Sequence, residues 1–186
     1  MQRDLVALAR EGDHDAFSSL AATSIATLYG VARVILGNIE RAEDAVQDAL
    51  VLAWRDIGGL RDIDRFDAWL YRLVVRACYR QAGRDRRRAV VELRLLANDD
   101  EPEPSGIESS VVERDRIERG FRRLAPDQRA VLVLHHHLGL GLAEVAEILE
   151  IPVGTAKSRL FRATQTIRSA IEADDRDPSD VKGRTA

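Results

Sequence analysis

Apolar side chains recur every three or four residues along most of the chain, which is the spacing of an amphipathic helix. Two stretches are especially regular, one from Ala42 to Trp54 and the other from Phe66 to Cys78. Gly58-Gly59 separates them and predicts a break between two helices. Residues 5–35 carry the same spacing and predict one or two earlier helices, the last ending at Gly37-Asn38. The first part of the chain is therefore predicted to be a bundle of three or four helices.

A second helical region follows residues 98–106, whose sequence NDDEPEPSG is acidic and interrupted by proline. That composition is typical of a linker. Further on, Pro126 stands where proline begins a helix. Apolar spacing then predicts a short helix at 142–149 and a longer one from Val153, separated by Pro152, which disfavours helical geometry at the preceding residue. We expect the longer helix to bury Val153, Ala156, Leu160, Ala163, Ile167 and Ile171.

The composition agrees with a helical chain. Of 186 residues, 45% are apolar and 32% are charged, whereas only 5% are aromatic, a mixture that favours helices over a β-sandwich or barrel. Five prolines and twelve glycines are too few for many tight turns. We predict an all-α fold of two small helical domains joined by an acidic flexible linker.

The chain carries no obvious signal for export or membrane insertion. No apolar run approaches the roughly 20 residues that span a bilayer, and the first residues lack the basic start and apolar core of a signal peptide. The single cysteine, Cys78, excludes an internal disulfide framework and a multi-thiolate zinc site. A cytoplasmic protein with no membrane insertion is the expectation.

Charge is strongly segregated although the net charge is only −3. Residues 72–94 hold eight arginines and two acids, a net +6, and residues 97–118 hold eight acids and two arginines, a net −6. Residues 152–169 carry four basic residues and no acid. Two basic blocks on one chain favour two contacts with a polyanion, and solvated helix faces are the alternative.

The last two predicted helices form a helix–turn–helix pattern, and the second of them is free of acids over 152–169. Small polar residues on such a helix let its backbone approach a DNA groove, while basic ones reach phosphates or guanine edges. The candidate DNA-reading residues are Thr155, Lys157, Ser158, Arg159 and Arg162.

Several segments, in this order along the chain, resemble the extracytoplasmic-function (ECF) group of bacterial sigma factors in the sigma-70 family. The segment AEDAVQDALVLAWR at 42–55 resembles their core-binding helix, and FDAWLYRL at 66–73, with the arginines of 84–88, resembles their promoter-melting helix. The segments LAPDQR at 124–129, EVAEIL at 144–149 and IPVGTAKSRLFRA at 151–163 resemble region 4.

The resemblance implies a protein that is not an enzyme and needs no cofactor. Its partners would be RNA polymerase core, promoter DNA (duplex at the −35 element and single-stranded at the −10 element) and an anti-sigma factor. Residues 1–90 would form region 2, 91–112 the acidic linker, 113–172 region 4, and 173–186 a disordered tail. The linker would mimic nucleic acid in the polymerase cleft or act only as a soluble tether.

The resemblance also assigns residues within region 2. The loop from Gly58 to Arg65 would hold a flipped base, and Trp69, on the apolar side of its helix, is interpreted as a core residue. The implied core-polymerase contacts are Asp44, Gln47, Asp48 and Arg55. The implied −10 contacts are Arg65, Tyr71, Arg72, Arg76, Tyr79, Arg80, Arg84 and Arg87.

The chain departs from the family pattern at a few of these positions. Arg76 stands where the family usually has an asparagine, and Glu150 stands where a turn glycine is common. Glutamate has no preference for left-handed backbone, so the turn is predicted to be more costly. Gly141 and Leu142 replace a common serine and aromatic residue, which predicts a weaker helix cap.

Other functions fit parts of the same sequence. A one-component regulator would bind an operator as a dimer through the same helix–turn–helix, although it would not need the basic stripe of 65–88. A protein-interaction bundle would bind neither DNA nor polymerase. His135, His136 and His137 suggest a metal site, but adjacent helical side chains point about 100° apart and do not converge on one ion. Cys78 is interpreted as a small core residue.

Overall fold

The computed structural model describes the backbone of residues 1–95, 120–121 and 123–176, and the side chains of 1–84, 120–121 and 123–172. Within these ranges the chain is helical and contains no strand, which confirms the all-α prediction. The first lobe consists of α1 (Gln2–Arg10), α2 (His14–Leu36), α3 (Ile39–Asp56) and α4 (Phe66–Leu95). The second lobe consists of α5 (Pro126–Leu132), a π-helical turn (Val133–His137), α6 (Leu142–Leu149) and α7 (Val153–Arg176).

The boundaries of the early helices follow from polar caps and one glycine. The Asp13 carboxylate accepts from the amides of Asp15 and Ala16 at 2.9 and 3.0 Å and so caps the start of α2. Gly37 ends α2 with φ of +66°, a left-handed conformation that glycine adopts without strain. Asn38 then caps α3 by accepting from the Arg41 amide at 2.9 Å. The predicted break at Gly37-Asn38 thus ends one helix and begins the next.

The core of the first lobe lies where α2, α3 and α4 pack against one another, with α1 against α2. Alanines on one face of α3, among them Ala42, Ala45 and Ala49, are fully buried, which lets α4 approach closely. Trp69 is half-buried against this core, as its position on the apolar side predicted. Two short 3-10 turns, Ile57–Gly59 and Ile63–Arg65, connect α3 to α4 around the buried Leu60.

The helix α2 is long and apolar enough, by length and composition alone, to cross a membrane, although the sequence reading found no such run. Its apolar character has a structural reason here. The helix packs against α1, α3 and α4 and also contacts the second lobe, and it buries Leu20, Leu28, Val31, Ala32 and Ile35, with Ala16.

In the second lobe, α5 and α7 pack together around a small cluster of Leu124, Leu132 and Ala163, while α6 rests on α7. Ala156 and Ala163 are fully buried as predicted, and Leu160, Ile167 and Ile171 are half-buried. The prediction for Val153 is wrong, because this residue is 42% exposed. It stands in the first turn of α7, before the helix reaches its packing partners.

The two lobes pack directly against each other and share one hydrophobic core. That core joins residues of α2, α3 and α4 to Val131, Leu134, Val145 and Ile148 of the second lobe. A polar contact closes one edge, where the half-buried Arg129 donates from Nη1 to the carbonyl of Ile35 at 3.1 Å. Burial lowers the pKa of the Arg129 guanidinium. The contact caps the carbonyl end of α2 with a cation from the other lobe.

The predicted division of the chain lies partly outside the described residues. The backbone of α4 continues to Leu95, past the boundary expected at residue 90. Residues 173–176, expected at the start of a disordered tail, instead continue α7, which ends at Arg176. Most of the predicted linker, and residues 177–186 of the predicted tail, are outside the described ranges.

Candidate nucleic-acid and partner interfaces

The turn between α6 and α7 is built on a strained residue. Glu150 has φ of +55° and ψ of +45°, and it is the one non-glycine residue with positive φ in the described chain. The Ile151 amide donates to the Ala146 carbonyl at 3.0 Å, and the Thr155 amide donates to the Pro152 carbonyl at 2.9 Å. These bonds hold the turn that sets the angle between the two helices.

The first turn of α6 is capped in a way that the sequence reading missed. Gly141 offers no side chain, but the Glu144 carboxylate accepts from the Gly141 amide at 2.8 Å. An acid in the first turn also complements the positive end of the helix dipole. The α6 start is therefore stabilised despite the absent serine.

The outer face of α7 presents exposed polar and basic groups. Lys157, Ser158 and Arg162 are exposed, and the Ser158 hydroxyl donates to the Thr155 carbonyl at 3.0 Å. Phe161 lies among them and is 65% exposed, and the sequence reading did not select it. The sequence feature that could have identified Phe161 is an aromatic residue on an otherwise polar face of a helix. An exposed phenyl ring on such a face suits a thymine methyl group.

The other two candidates on α7 are less accessible. Thr155 is half-buried, and the side chain of Arg159 is 26% exposed. Arg159 forms an ion pair with Asp127 of α5, with 3.1 Å between Nε and Oδ2. This pair lies beside Tyr79 of α4, so α7 is close to the first lobe.

The predicted −10 residues lie on α4 and on the 3-10 turn before it, and those with described side chains divide into three groups. Arg80 and Arg84 are exposed, whereas Tyr71 and Tyr79 are half-buried against the shared core. Burial raises the pKa of both phenols, most strongly for Tyr79, whose hydroxyl is enclosed without a hydrogen-bond partner among the described residues. The side chain of Arg87 lies outside the described residues.

The third group, Arg65, Arg72 and Arg76, faces the helix–turn–helix. Arg65 is ion-paired with Glu147 of α6, and Arg76 is ion-paired with Glu150 at the turn. Arg72 reaches both acids: its Nη1 lies 3.7 Å from the Glu150 carboxylate, and its Nη2 donates to the Glu147 carbonyl at 3.5 Å. The neighbouring guanidinium of Arg76 lowers the pKa of Glu150. We call these five residues the inter-lobe ion-pair cluster.

The candidate polymerase-binding stripe lies on the opposite side of α3 from its buried alanines. Asp44, Gln47 and Asp48 are exposed there. Arg55 is exposed too, but Asp56 binds it in a fork, with Nε donating at 2.8 Å and Nη2 at 3.2 Å. This contact raises the pKa of Arg55 and lowers that of Asp56. The positive charge of Arg55 is therefore balanced by its neighbour.

An apolar groove of about 750 Å³ runs beside this stripe, between α2 and α3. Val51 is 63% exposed and Ile25 is 47% exposed along it. Trp54 forms one end, where its ring stacks on His14 with 4.0 Å between ring centroids. Helical periodicity did not indicate this groove. Exposed apolar surface next to a polar stripe is typical of a protein-binding site.

The histidine cluster and the cysteine are arranged as structural residues. His135 lies within 2.8 Å of the Leu140 carbonyl through Nδ1, and the rings of His135 and His136 stand 4.8 Å apart at 59°. The part of the chain that the structure describes contains no group of three or more potential metal-ligating side chains close enough to hold an ion. Cys78 is fully buried, and burial raises the pKa of its thiol to about 12.

Two family models match the chain in the order of its lobes. Residues 20–88 match Sigma-70 region 2 and residues 114–167 match Sigma-70, region 4. The chain is 32% identical over 161 residues to the ECF RNA polymerase sigma factor SigM of Mycobacterium tuberculosis, covering 86% of this chain and 79% of the relative. It is 30% identical to the ECF RNA polymerase sigma-E factor of Haemophilus influenzae, covering 90% of this chain and 94% of the relative. The chain belongs to the ECF group of sigma factors.

Solved structures agree with the sigma-factor fold. CnrH, solved in complex with the cytosolic domain of CnrY, is 29% identical with a TM-score of 0.65, over 93% of this chain and 98% of that one. The sigma factor RpoE of Bartonella quintana, solved with the anti-sigma factor NepR, is 25% identical with a TM-score of 0.66, over 85% of this chain and 98% of that one. Membership of this family excludes the alternative of a one-component dimeric regulator. This sigma factor acts in promoter-specific transcription initiation.

The enclosed Tyr79 hydroxyl yields a prediction about stability. Replacing Tyr79 with Phe removes a buried polar group that has no partner among the described residues, so the free energy of unfolding should stay the same or rise by up to about 1 kcal/mol. Urea denaturation of the wild type and Tyr79→Phe measures this change. A loss of more than about 1 kcal/mol would mean that the hydroxyl is hydrogen-bonded in the folded protein.

Proposed function

We propose that this sigma factor binds the RNA polymerase core through α3. The support is the exposed stripe of Asp44, Gln47 and Asp48 on a helix whose opposite side is locked into the core. Two carboxylates one helical turn apart suit a basic, helical partner surface. Arg55, already bound by Asp56, belongs at the edge of this contact, where it fixes orientation more than affinity.

The second lobe is proposed to read the −35 element as duplex DNA. Lys157 and Arg162 contact phosphates or guanine edges, and Ser158 allows close approach of the backbone. Phe161 adds an apolar contact to this surface. Thr155 and Arg159 lie at the edge of this surface, where Arg159 is paired with Asp127 of the same lobe.

The first lobe is proposed to engage the −10 element as single strands. Extruding a base costs a few kcal/mol, which stacking and phosphate contacts must recover. The loop Gly58–Arg65 lies at the start of α4 and would receive the base. Seven of the eight candidate contacts have described side chains, and the exposed Arg80 and Arg84 offer direct phosphate binding. Arg87 extends the same basic run in sequence.

An anti-sigma factor is the proposed regulator, acting in the cytoplasm. The apolar groove between α2 and α3 adjoins the polymerase stripe, so a partner helix seated there would exclude polymerase from α3. We further propose that the protein is non-enzymatic and uses no cofactor, and that the acidic linker tethers the lobes. The proposed domain division of 1–90, 91–112, 113–172 and 173–186 is shifted at two boundaries, because α4 reaches Leu95 and α7 reaches Arg176.

Charge reversal on α3 tests the polymerase contact. Asp48→Arg should weaken binding to purified core polymerase roughly a hundredfold, because like charges placed together across an interface cost several kcal/mol. Glu11→Arg, an equal charge change at the exposed end of α1, is the matched control and should bind normally. Circular dichroism checks that both variants fold. Unchanged core affinity in Asp48→Arg contradicts the assignment of this stripe.

Truncation on α7 tests the DNA contact separately. Arg162→Ala should weaken binding of a duplex containing the −35 element about 5- to 100-fold and spare core binding, since one phosphate or guanine contact is lost. Arg168→Ala removes an exposed arginine six residues further along the same helix and serves as the control. Fluorescence anisotropy measures both affinities. Equal losses in the two variants would show a general charge effect and refute a specific role for Arg162.

A further inference from the structure

Three of the arginines proposed to meet the −10 element are already bound by acids of the second lobe. Glu147 and Glu150 offer carboxylates to Arg65, Arg72 and Arg76, in the manner that phosphates would. A guanidinium engaged by a carboxylate in this geometry is not available to a phosphate. The contact therefore competes directly with nucleic acid for the same three side chains.

The two acids sit on the element that carries the other DNA-reading surface. Glu147 is on α6, and Glu150 forms the turn that leads into α7. Arg159 of α7 is paired with Asp127 of α5 within the second lobe, beside Tyr79 of α4. In this arrangement three of the −10 arginines face the helix–turn–helix, whereas Lys157, Ser158 and Arg162 of the −35 surface remain exposed.

One unusual residue of the chain lies in this cluster. Glu150 adopts left-handed backbone, which costs a non-glycine residue free energy, and its side chain is what reaches Arg72 and Arg76. A glycine would relieve the backbone but remove both pairs. Arg76, an exposed arginine on α4, supplies the charged partner of the Glu150 carboxylate.

We propose that Glu147 and Glu150 form an autoinhibitory latch that closes the helix–turn–helix over Arg65, Arg72 and Arg76 of the first lobe. The inference rests on the proposed DNA-binding role of α4. The latch lowers the fraction of molecules competent for DNA, and the apparent affinity falls by the same factor. Polymerase core, or DNA itself, opens the latch by binding the separated lobes more tightly than the closed ones.

The test measures lobe separation and DNA binding in the full chain. Donor and acceptor dyes are attached at Ser18→Cys on α2 and Ser169→Cys on α7, both exposed positions outside the cluster. Cys78 stays in place, because a buried thiol with a pKa of about 12 remains protonated and reacts slowly. The latch variant is Glu147→Gln/Glu150→Gln. Glutamine removes the negative charge but keeps the length of the side chain, and at residue 150 it has the same steric cost in left-handed backbone as glutamate.

The control variant is Glu11→Gln/Glu40→Gln, which changes the net charge by the same amount at two exposed positions of the first lobe. Both positions lie outside the Gly58–Arg65 loop, and the inter-lobe cluster stays intact. Any gain in DNA affinity from net charge alone appears in both variants, so the difference between them isolates the latch.

Energy transfer without DNA should be lower in the latch variant than in the wild type and the control. In the wild type it should fall as salt rises from about 50 to about 500 mM, because screening weakens exposed ion pairs. Affinity for an oligothymidine of about 30 nucleotides should rise roughly five- to tenfold above that of the control.

Two results would overturn the latch. One is energy transfer that is the same in both variants, which would mean that the acids do not hold the lobes together. The other is wider separation with oligothymidine affinity equal to the control, which would mean that closure does not gate DNA. Binding of the same samples to core polymerase reports on the proposed function independently. A wild-type protein that fails to bind core polymerase would contradict the proposed function, whereas the two results above contradict only the latch.

Discussion

The packing of α2 and α4 against the second lobe is the constraint on which the rest of the structure depends. It merges two small helical units into one core, in which Val131 and Leu134 of the second lobe are fully buried with residues of the first. Small bundles bury little surface alone, and a shared core offsets that weakness. The same packing determines which faces of the protein remain exposed to binding partners, because part of each basic surface lies close to the other lobe.

The functional surfaces are arranged around this core in a consistent way. The α3 stripe and the adjoining apolar groove lie on the side away from the second lobe, free for a protein partner. The arginines of α4 and the reading face of α7 lie near the inter-lobe interface. Under the proposed latch, this closed arrangement is a resting state from which the lobes would separate to bind DNA.

Helical periodicity predicted the elements well, since burial of one face is what forms them. Gly37, Gly58-Gly59 and Pro152 marked real breaks because each changes the allowed backbone directly. The exposure of Val153 was not predictable, because periodicity assigns a residue to one face of a helix without saying what covers that face. The pairing of Arg76 with Glu150 joins residues 74 positions apart, and only the tertiary fold brings them together. Each looked like an isolated departure from the family pattern.

Run-off transcription shows whether this protein directs promoter-specific initiation. Purified core polymerase, this protein and fragmented DNA from its own genome are combined, and the transcripts are sequenced. We predict discrete start sites that require this protein and share two spaced upstream elements. Transcripts that are the same with and without the protein, together with no detectable binding to core, would contradict its role as a sigma factor.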